Sequence, residues 1–503
     1  MRNLLEISKI VTKKKVKKIE IFDEHSLKHK NSKFNEFYEA LLAGKFKDDR
    51  DASIFLYECE PTDDKYRQLK SRFRKRLLNT LFFLDVNLPS TSNYDRAYYT
   101  CNKDWTLVKI LLSNEAEFTA AALARQILTI ALKFKFADVI VNCSRILRAH
   151  TVTEDDEKEY ELYDQYAKQF QDVLDAEIRS EELFQRVIMN YHKPVEKSDL
   201  SEKIDTYCEA LVGLAEMYDS PIVIYNKYLV WAYRYEMMQD YEGVIRIYNE
   251  AEVYVTENPI YYQDDKTATF KLKKMSAYLH LRDYPKGKAC AEAALEGFPA
   301  GSDTWFQLLE YYALLCLHTE NYINALGVLR RAKSHSRFLK LEGDEREKWN
   351  MIDIYLNFIV ESEAAHNPAY MAQRSKTFRV GKFLSDSVVY PKEQRLFTIH
   401  ALIAQVLFLI DKNNYTAANE RLEKLKMYAN RVLKKEENMR MIQFIRLLQQ
   451  LPKSEYSIED FGNVDKYLTR LDQNPMQYKG LLNELEFLPY EAMWKILVKA
   501  IKD

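Results

Sequence analysis

Residues 304–336, TWFQLLEYYALLCLHTENYINALGVLRRAKSHS, constrain this chain more than any other stretch. Leu308, Tyr312, Leu315 and Cys316 recur at three- and four-residue spacing before a polar turn, and Tyr322, Ala325, Leu326, Leu329 and Ala332 do so after it. Apolar side chains at that spacing share one face of an α-helix, so the stretch predicts two amphipathic helices whose faces meet across the turn. Ala313, Ala325 and Ala332 leave room for close approach, and Tyr312 and Tyr322 fill the ends. One such hairpin cannot bury its own core, so neighbouring hairpins are required.

They are present. Asp240-Tyr241 opens a helix carrying Val244, Ile245, Tyr248 and Ala251, preceded by a helix with Trp231, Ala232 and Tyr235. Asp283-Tyr284 is followed by Gly287, Ala291 and Ala294 and preceded by Met275 and Tyr278. Further on, Asn414-Tyr415 is followed by Ala418, Leu422 and Leu425, with Val406 and Leu409 in front.

This pattern resembles the tetratricopeptide repeat, in which a small residue sits midway along the first helix, an aromatic opens the second, and alanines follow it at about three and ten residues. Those places here hold Ala313, Tyr322, Ala325 and Ala332. The opening tyrosines are unevenly spaced, more widely than the consensus period of about 34 residues. Gly287 and Val244 stand where the family usually has alanine, which makes the chain similar to a divergent member. The resemblance is best over residues 224–335. It implies an all-α, right-handed solenoid of antiparallel helical hairpins in which the first helix of each unit lines a concave groove. Carried onto this chain, the partner-binding residues are Asn226, Tyr233, Glu236 and Met237, then Thr269, Ser276 and His280, then Gln307, Glu310, Leu314 and His318. Tyr233 and Leu314 are expected to be exposed in the free protein.

Composition supports an all-helical chain. Of 503 residues only 11 are Gly and 12 are Pro, while 35 are Tyr, which leaves little for the turns of a β-rich fold. A formal net charge of −1 provides no global field for nucleic acid or a membrane surface. Cys59, Cys101, Cys143, Cys208, Cys290 and Cys316 lie far apart, the usage of a reducing compartment. The N-terminal MRNLLEISKIVTKKKVKK places its charges after a very short apolar stretch, the reverse of a secretory signal. A cytoplasmic protein with no membrane partner is expected.

The chain divides into a basic N-terminal helical module at 1–89, a helical-repeat region at 93–454 and a C-terminal helical cap at 455–503. LPSTS at 88–92 marks the first boundary. In the N-terminal module the positive charge comes from Lys13, Lys14, Lys15, Lys17 and Lys18, and from Arg67, Lys70, Arg72, Arg74, Lys75 and Arg76. The second cluster lies on a helix expected over 63–85, with Leu69, Phe73, Leu77, Leu78, Leu81 and Phe82 as its buried stripe. Arg72, Arg74 and Lys75 are the candidates for phosphate contact. Residues 153–191 contain no Gly or Pro and predict one unusually long helix or two in line; its acidic surface could meet the basic block or be solvated.

Phosphate-cradling, dinucleotide, zinc-protease and nucleophile-elbow motifs are absent from the sequence. His25 and His29 have a metal-like spacing but no further ligands nearby, and no cofactor is expected. These readings describe a non-catalytic scaffold for a protein, a peptide or a second copy of the chain. Two alternatives stand beside it: a peptide-sensing regulator with the N-terminal module as output, and a nucleic-acid-associated subunit using the basic clusters, the less favoured partner.

Overall fold

The computed structural model describes residues 4, 32–46, 48–81, 93–191, 198–262, 264–364, 367–373, 378–386, 389–435, 437–457 and 464–502. Among them are 22 α-helices and no strand. The chain forms two compact units, Met1–Asp175 and Ala176–Asp503, and the division falls inside a 35-residue helix, Glu157–Tyr191. The sequence expectation of one long helix there is met. The basic Lys13–Lys18 cluster, the 88–92 linker and the His25/His29 pair lie outside the described residues.

The first unit begins with three short helices, α1 (Lys33–Leu42), α2 (Asp49–Tyr57) and α3 (Asp64–Leu81). Ser32 and Asp48 cap the first two, their side chains accepting from the amides of Asn35 (3.2 Å) and of Arg50 and Asp51 (2.8 and 3.0 Å). In α3, Tyr66, Leu69, Phe73 and Leu77 are buried at helical spacing. The Phe73 ring packs against Phe37 (4.7 Å) and Phe34 (4.9 Å), so aromatic contacts hold this small core together. Next come α4 (Asn93–Ser113), α5 (Glu117–Phe134), α6 (Ala137–Glu154) and the start of α7 (Glu157–Tyr191), with α5 packed on both α4 and α6. The acidic first half of α7 is met by the preceding helices: Arg125 pairs with Glu159 at 3.1 Å and Arg148 with Asp164 at 2.5 Å.

The second unit continues through α8 (Ser198–Met217), α9 (Pro221–Met237), α10 (Tyr241–Glu257), α11 (Asp264–Leu281), α12 (Tyr284–Gly297), α13 (Asp303–His318), α14 (Tyr322–Ser334) and α15 (Gly343–Glu363). Two short helices follow, α16 (Pro368–Met371) and α17 (Val380–Ser385). Then follow α18 (Arg395–Asp411), α19 (Tyr415–Val432), α20 (Met439–Leu448), α21 (Val464–Asp472) and α22 (Tyr490–Lys502). Consecutive helices from α8 to α15 pack on one another, and α11 also meets α13. The 455–503 stretch shares one apolar cluster with α11 to α20, Tyr478, Phe487, Met493 and Leu497 being buried within it.

One turn recurs at seven junctions. Glu115, Lys135, Asp155, Gln239, Arg282, Glu320 and Asn413 all have φ between 52° and 60°, the left-handed region. At each, the amide of the next residue bonds back to a carbonyl five residues earlier, at 2.8 to 3.3 Å, from Ala116 to Leu111 through Asn414 to Leu409. This is the Schellman arrangement that ends a helix by satisfying its orphan carbonyls. At four junctions the next residue is Asp or Asn and the one after it is Tyr, and the side chains of Asp240, Asp283 and Asn414 cap the second helix. The Asx-Tyr pairs picked out in the sequence are therefore the last two residues of a turn that stops one helix and starts the next. Small residues do the packing behind it: Ala251, Ala291, Ala325 and Ala418 have no exposed surface. A Cβ on Gly287 would lie 2.3 Å from Leu315 Cδ2 of α13, so this position has no room for alanine unless that side chain shifts.

Candidate binding face

Among the described residues no three His, Cys, Asp or Glu side chains come together to hold a metal, no helix is long and apolar enough to cross a membrane, and all six cysteines are free. Polar side chains instead gather along the first helices of the hairpins, α9, α11 and α13, where they meet an irregular stretch of the chain's own C-terminal part.

On α9, Glu236 is buried and accepts hydrogen bonds from the Tyr191 hydroxyl and from Lys273 Nζ of α11 (3.0 Å). Burial drives the Lys273 ammonium toward its neutral form, but the Glu236 carboxylate outweighs it and the net shift is upward. Lys273 also lies over the rings of Tyr233 (4.8 Å) and Tyr191 (5.1 Å). Two turns along α11, His280 stacks on Tyr241 with centroids 4.2 Å apart. Its Nδ1 is 2.7 Å from the Ser276 carbonyl and its Nε2 is 3.0 Å from the Tyr478 amide. A backbone N–H can only donate, so Nε2 accepts from Tyr478 and Nδ1–H donates to Ser276, which assigns a neutral imidazole. Burial lowers its pKa to about 4, consistent with that tautomer.

On α13, Glu310 Oε1 accepts from the Tyr478 hydroxyl (2.8 Å) and from Lys348 Nζ of α15 (2.9 Å). His318, at the end of α13, lies 2.7 Å through Nε2 from the Glu486 carbonyl; burial takes its pKa to about 4, and its Nδ1 is buried without a partner. On the other side of the segment, Lys479 Nζ donates to the Tyr191 carbonyl at 3.1 Å, and the Lys479 amide to Glu484 Oε2 at 2.8 Å. Arg440 of α20 fixes the following residues: it pairs with Glu486, donates from Nη2 to Glu491 (2.8 Å), and from Nη1 to the carbonyls of Leu471 and Asn474 (each 2.6 Å).

The eleven sequence-derived partner residues thus separate. His280, Glu310 and His318 touch the segment directly. Glu236 and Tyr233 reach it through Lys273 and Tyr191, and Ser276 orients His280. Asn226 turns away, its Nδ2 donating to Ser180 Oγ at 2.9 Å, and Met237 is buried with Leu183 and Val187. Thr269 is half-buried and Gln307 exposed. The expected exposure of Leu314 and Tyr233 is corrected: Leu314 has no exposed surface, and the Tyr233 ring packs on Tyr191 at 4.7 Å, because helices stack on both sides of each unit. Sequence reasoning missed Lys273, Lys348, Tyr191 and the segment itself. Lys273 was within reach, since it lies four residues after Thr269 and three before Ser276 on the same helical face. Of the phosphate candidates, Arg72 and Lys75 share a pocket on α3 with Lys33 and Arg76, and Arg74 does not.

No family model matches this sequence, and comparison with curated proteins and with solved structures likewise returns no match.

Proposed function

We propose that this protein is a non-catalytic binding scaffold, a tetratricopeptide-like array of helical hairpins whose first helices hold an extended polypeptide segment. One observation carries the reading: the face already meets such a segment, at two points through the segment's backbone. The Tyr478 amide to His280 and the Glu486 carbonyl to His318 are contacts that any extended chain can make, with the Tyr478 side chain inserted between Glu310 and Lys348. A cavity of about 580 Å³ remains beside it, lined among others by His280, Arg282, Met476, Asp472 and Trp494, so the face is not filled. A tethered segment has an effective concentration on the order of millimolar. An outside partner using the same contacts must compete with it, and binds in proportion to how often the segment leaves.

The test is a fluorescent peptide of residues 473–489, added to the full chain and to a Tyr478→Ala/Lys479→Ala variant whose helicity is checked by circular dichroism. The variant should bind the peptide at least about tenfold more tightly than the parent, since its own segment competes less. A peptide carrying Ala at the Tyr478 position should bind neither. A folded variant that binds no peptide would show that the segment is a fixed part of the core and the face is not a binding site.

A further inference from the structure

The first unit carries a second feature that the scaffold reading does not use. Between α1, the end of α2 and α3 lies a cavity of about 490 Å³ lined by Lys33, Arg72, Lys75, Arg76 and Asn79, with Phe34, Tyr57 and Leu69 as its apolar wall. Four cationic side chains border it and no carboxylate does. Glu36 reaches Lys33 Nζ at 2.8 Å, from outside the lining. Arg76 lies over the Phe34 ring at 4.9 Å and the Lys33 ammonium 6.0 Å from the Tyr57 ring centroid, so the cations line an aromatic surface.

Helical geometry explains why these residues and not their neighbours form the pocket. At about 100° per residue, Arg76 and Lys75 lie roughly 40° and 60° around α3 from Arg72, whereas Arg74 lies roughly 160° away. The buried stripe of Leu69, Phe73 and Leu77 runs between Arg74 and the Arg72–Arg76 side of the helix. A solvated basic run has no reason to place its charges on one flank, and like charges three and four residues apart repel. Arg72 and Lys75, Arg72 and Arg76 stand in that relation around one concavity. An anion seated there would be met by all four, and would relieve that repulsion.

We infer that this pocket is a binding site for a nucleotide phosphate, free or within a single strand. A carboxylate brings one charge to four cations. A phosphate ester brings up to two, with oxygens that the planar guanidiniums of Arg72 and Arg76 can chelate. The Phe34, Tyr57 and Leu69 wall takes the less polar part of the ligand, as aromatic platforms do beside basic grooves.

Two probes separate the sources: ATP, and a single-stranded oligothymidylate of about eight nucleotides, both titrated into the full chain at low and moderate salt. Binding of ATP alone identifies a free nucleotide as the ligand. Binding of the oligonucleotide, weakening linearly in log–log against salt, identifies a strand. In either case Arg72→Ala and Lys75→Ala should each weaken binding about tenfold, and Arg74→Ala by less than about twofold. Arg72, Arg74 and Lys75 are all exposed, so these variants are expected to fold, and unchanged circular dichroism verifies it. Two results overturn the inference: neither probe binds at millimolar concentration, or Arg74→Ala weakens binding as much as Arg72→Ala, which would reduce the pocket to a diffuse basic surface.

Discussion

The core of the second unit and the exposed flank of α3 in the first use positive charge in opposite ways. In the Ala176–Asp503 unit, Lys273, Lys348 and Arg440 are largely buried, and each is paired with carboxylates of the same chain: Glu236 at 3.0 Å, Glu310 at 2.9 Å, and Glu486 with Glu491. In the Met1–Asp175 unit, Arg72, Arg74 and Lys75 form a run and are exposed. The difference follows from solvation. An ion removed from water needs a partner fixed by the fold, while an ion left in water needs none and stays available. A basic cluster in a sequence therefore does not by itself say which of its charges hold the fold: Lys70 is tied to Asp49, whereas Arg72 and Lys75 of the same cluster are left in water.

The largest effect that could break this comparison is at Arg440. Its side chain is 12% exposed, and the Glu486 carboxylate it neutralises is 4% exposed. Arg440→Leu fits the apolar surroundings but strands two carboxylates and two backbone carbonyls. Removing one partner of a buried ion pair costs about 3–5 kcal/mol. Four of the five tryptophans, Trp231, Trp305, Trp349 and Trp494, belong to this unit, so the tryptophan-monitored urea midpoint reports on it. A midpoint equal to that of the parent would show that the pair contributes nothing net and that the contrast between units is only one of exposure.

A smaller, distributed effect should appear with acid. Burial lowers His280 and His318 to about 4 and His400 to about 3. Their folded values lie below the ordinary value of about 6.5, so the unfolded chain binds more protons, and the stability they contribute is complete above about pH 6.5 and is lost as pH falls toward 4. Around His280 the Glu236 carboxylate opposes that loss, and Lys273 and Lys479 add to it. In the first unit the sensitive group is Asp49. Its burial alone would raise it, but hydrogen bonds from Lys70 (2.6 Å) and Tyr66 (2.7 Å) outweigh this and hold it at about 2. Its contribution is present above about pH 3.8 and disappears only as pH drops from there toward 2. Acid titration should thus loosen the second unit one to two pH units before the α1–α3 module. Protonating His280 removes the acceptor for the Tyr478 amide, so hydrogen exchange at Tyr478 should accelerate beyond the intrinsic trend as pH falls toward about 4. Coincident loss of both units at one pH would contradict the separate accounting.

What the sequence disclosed follows the same line. The hairpins were legible because apolar spacing is local, and because Asp240-Tyr241, Asp283-Tyr284, Asn321-Tyr322 and Asn414-Tyr415 mark a turn whose hydrogen bonds close within five residues. Even α7 could be read from the absence of breakers. The occupied face could not. Residues 476–487 have no helical period to announce them, and their anchors lie far away in sequence: Tyr478 to His280, Glu486 to His318, Lys479 to Tyr191. All three contacts have a backbone atom at one end, which carries no residue signature. Of the transferred groove residues, His280, Glu310 and His318 meet the chain's own C-terminal segment, as a shared first-helix face, a local property, allows. Asn226, Met237 and Leu314 fell elsewhere because which neighbour covers a helix is not local.

The smallest expected effect sharpens the comparison most, because it divides residues of one basic run. Lys70 and Lys75 are five positions apart on α3. Lys70 is 30% exposed and ties Asp49 of α2 at 2.6 Å, joining two helices of the aromatic core, whereas Lys75 is exposed at the pocket. Lys70→Ala should lower the stability of the first unit by roughly 1 kcal/mol, the order of a half-exposed charged hydrogen bond, and raise the pH at which Asp49 protonates. The double variant Arg72→Ala/Lys75→Ala removes like-charge neighbours and no fold-holding contact, and alanine is a strong helix former, so the stability should stay within about 0.5 kcal/mol of the parent or rise. Hydrogen exchange at the buried amides of Phe73 and Leu77 in the full chain follows the α1–α3 core of the first unit. If the double variant is destabilised as much as Lys70→Ala, the pocket cations belong to the fold. The division between charges that hold this molecule together and charges it keeps free would then run between other residues.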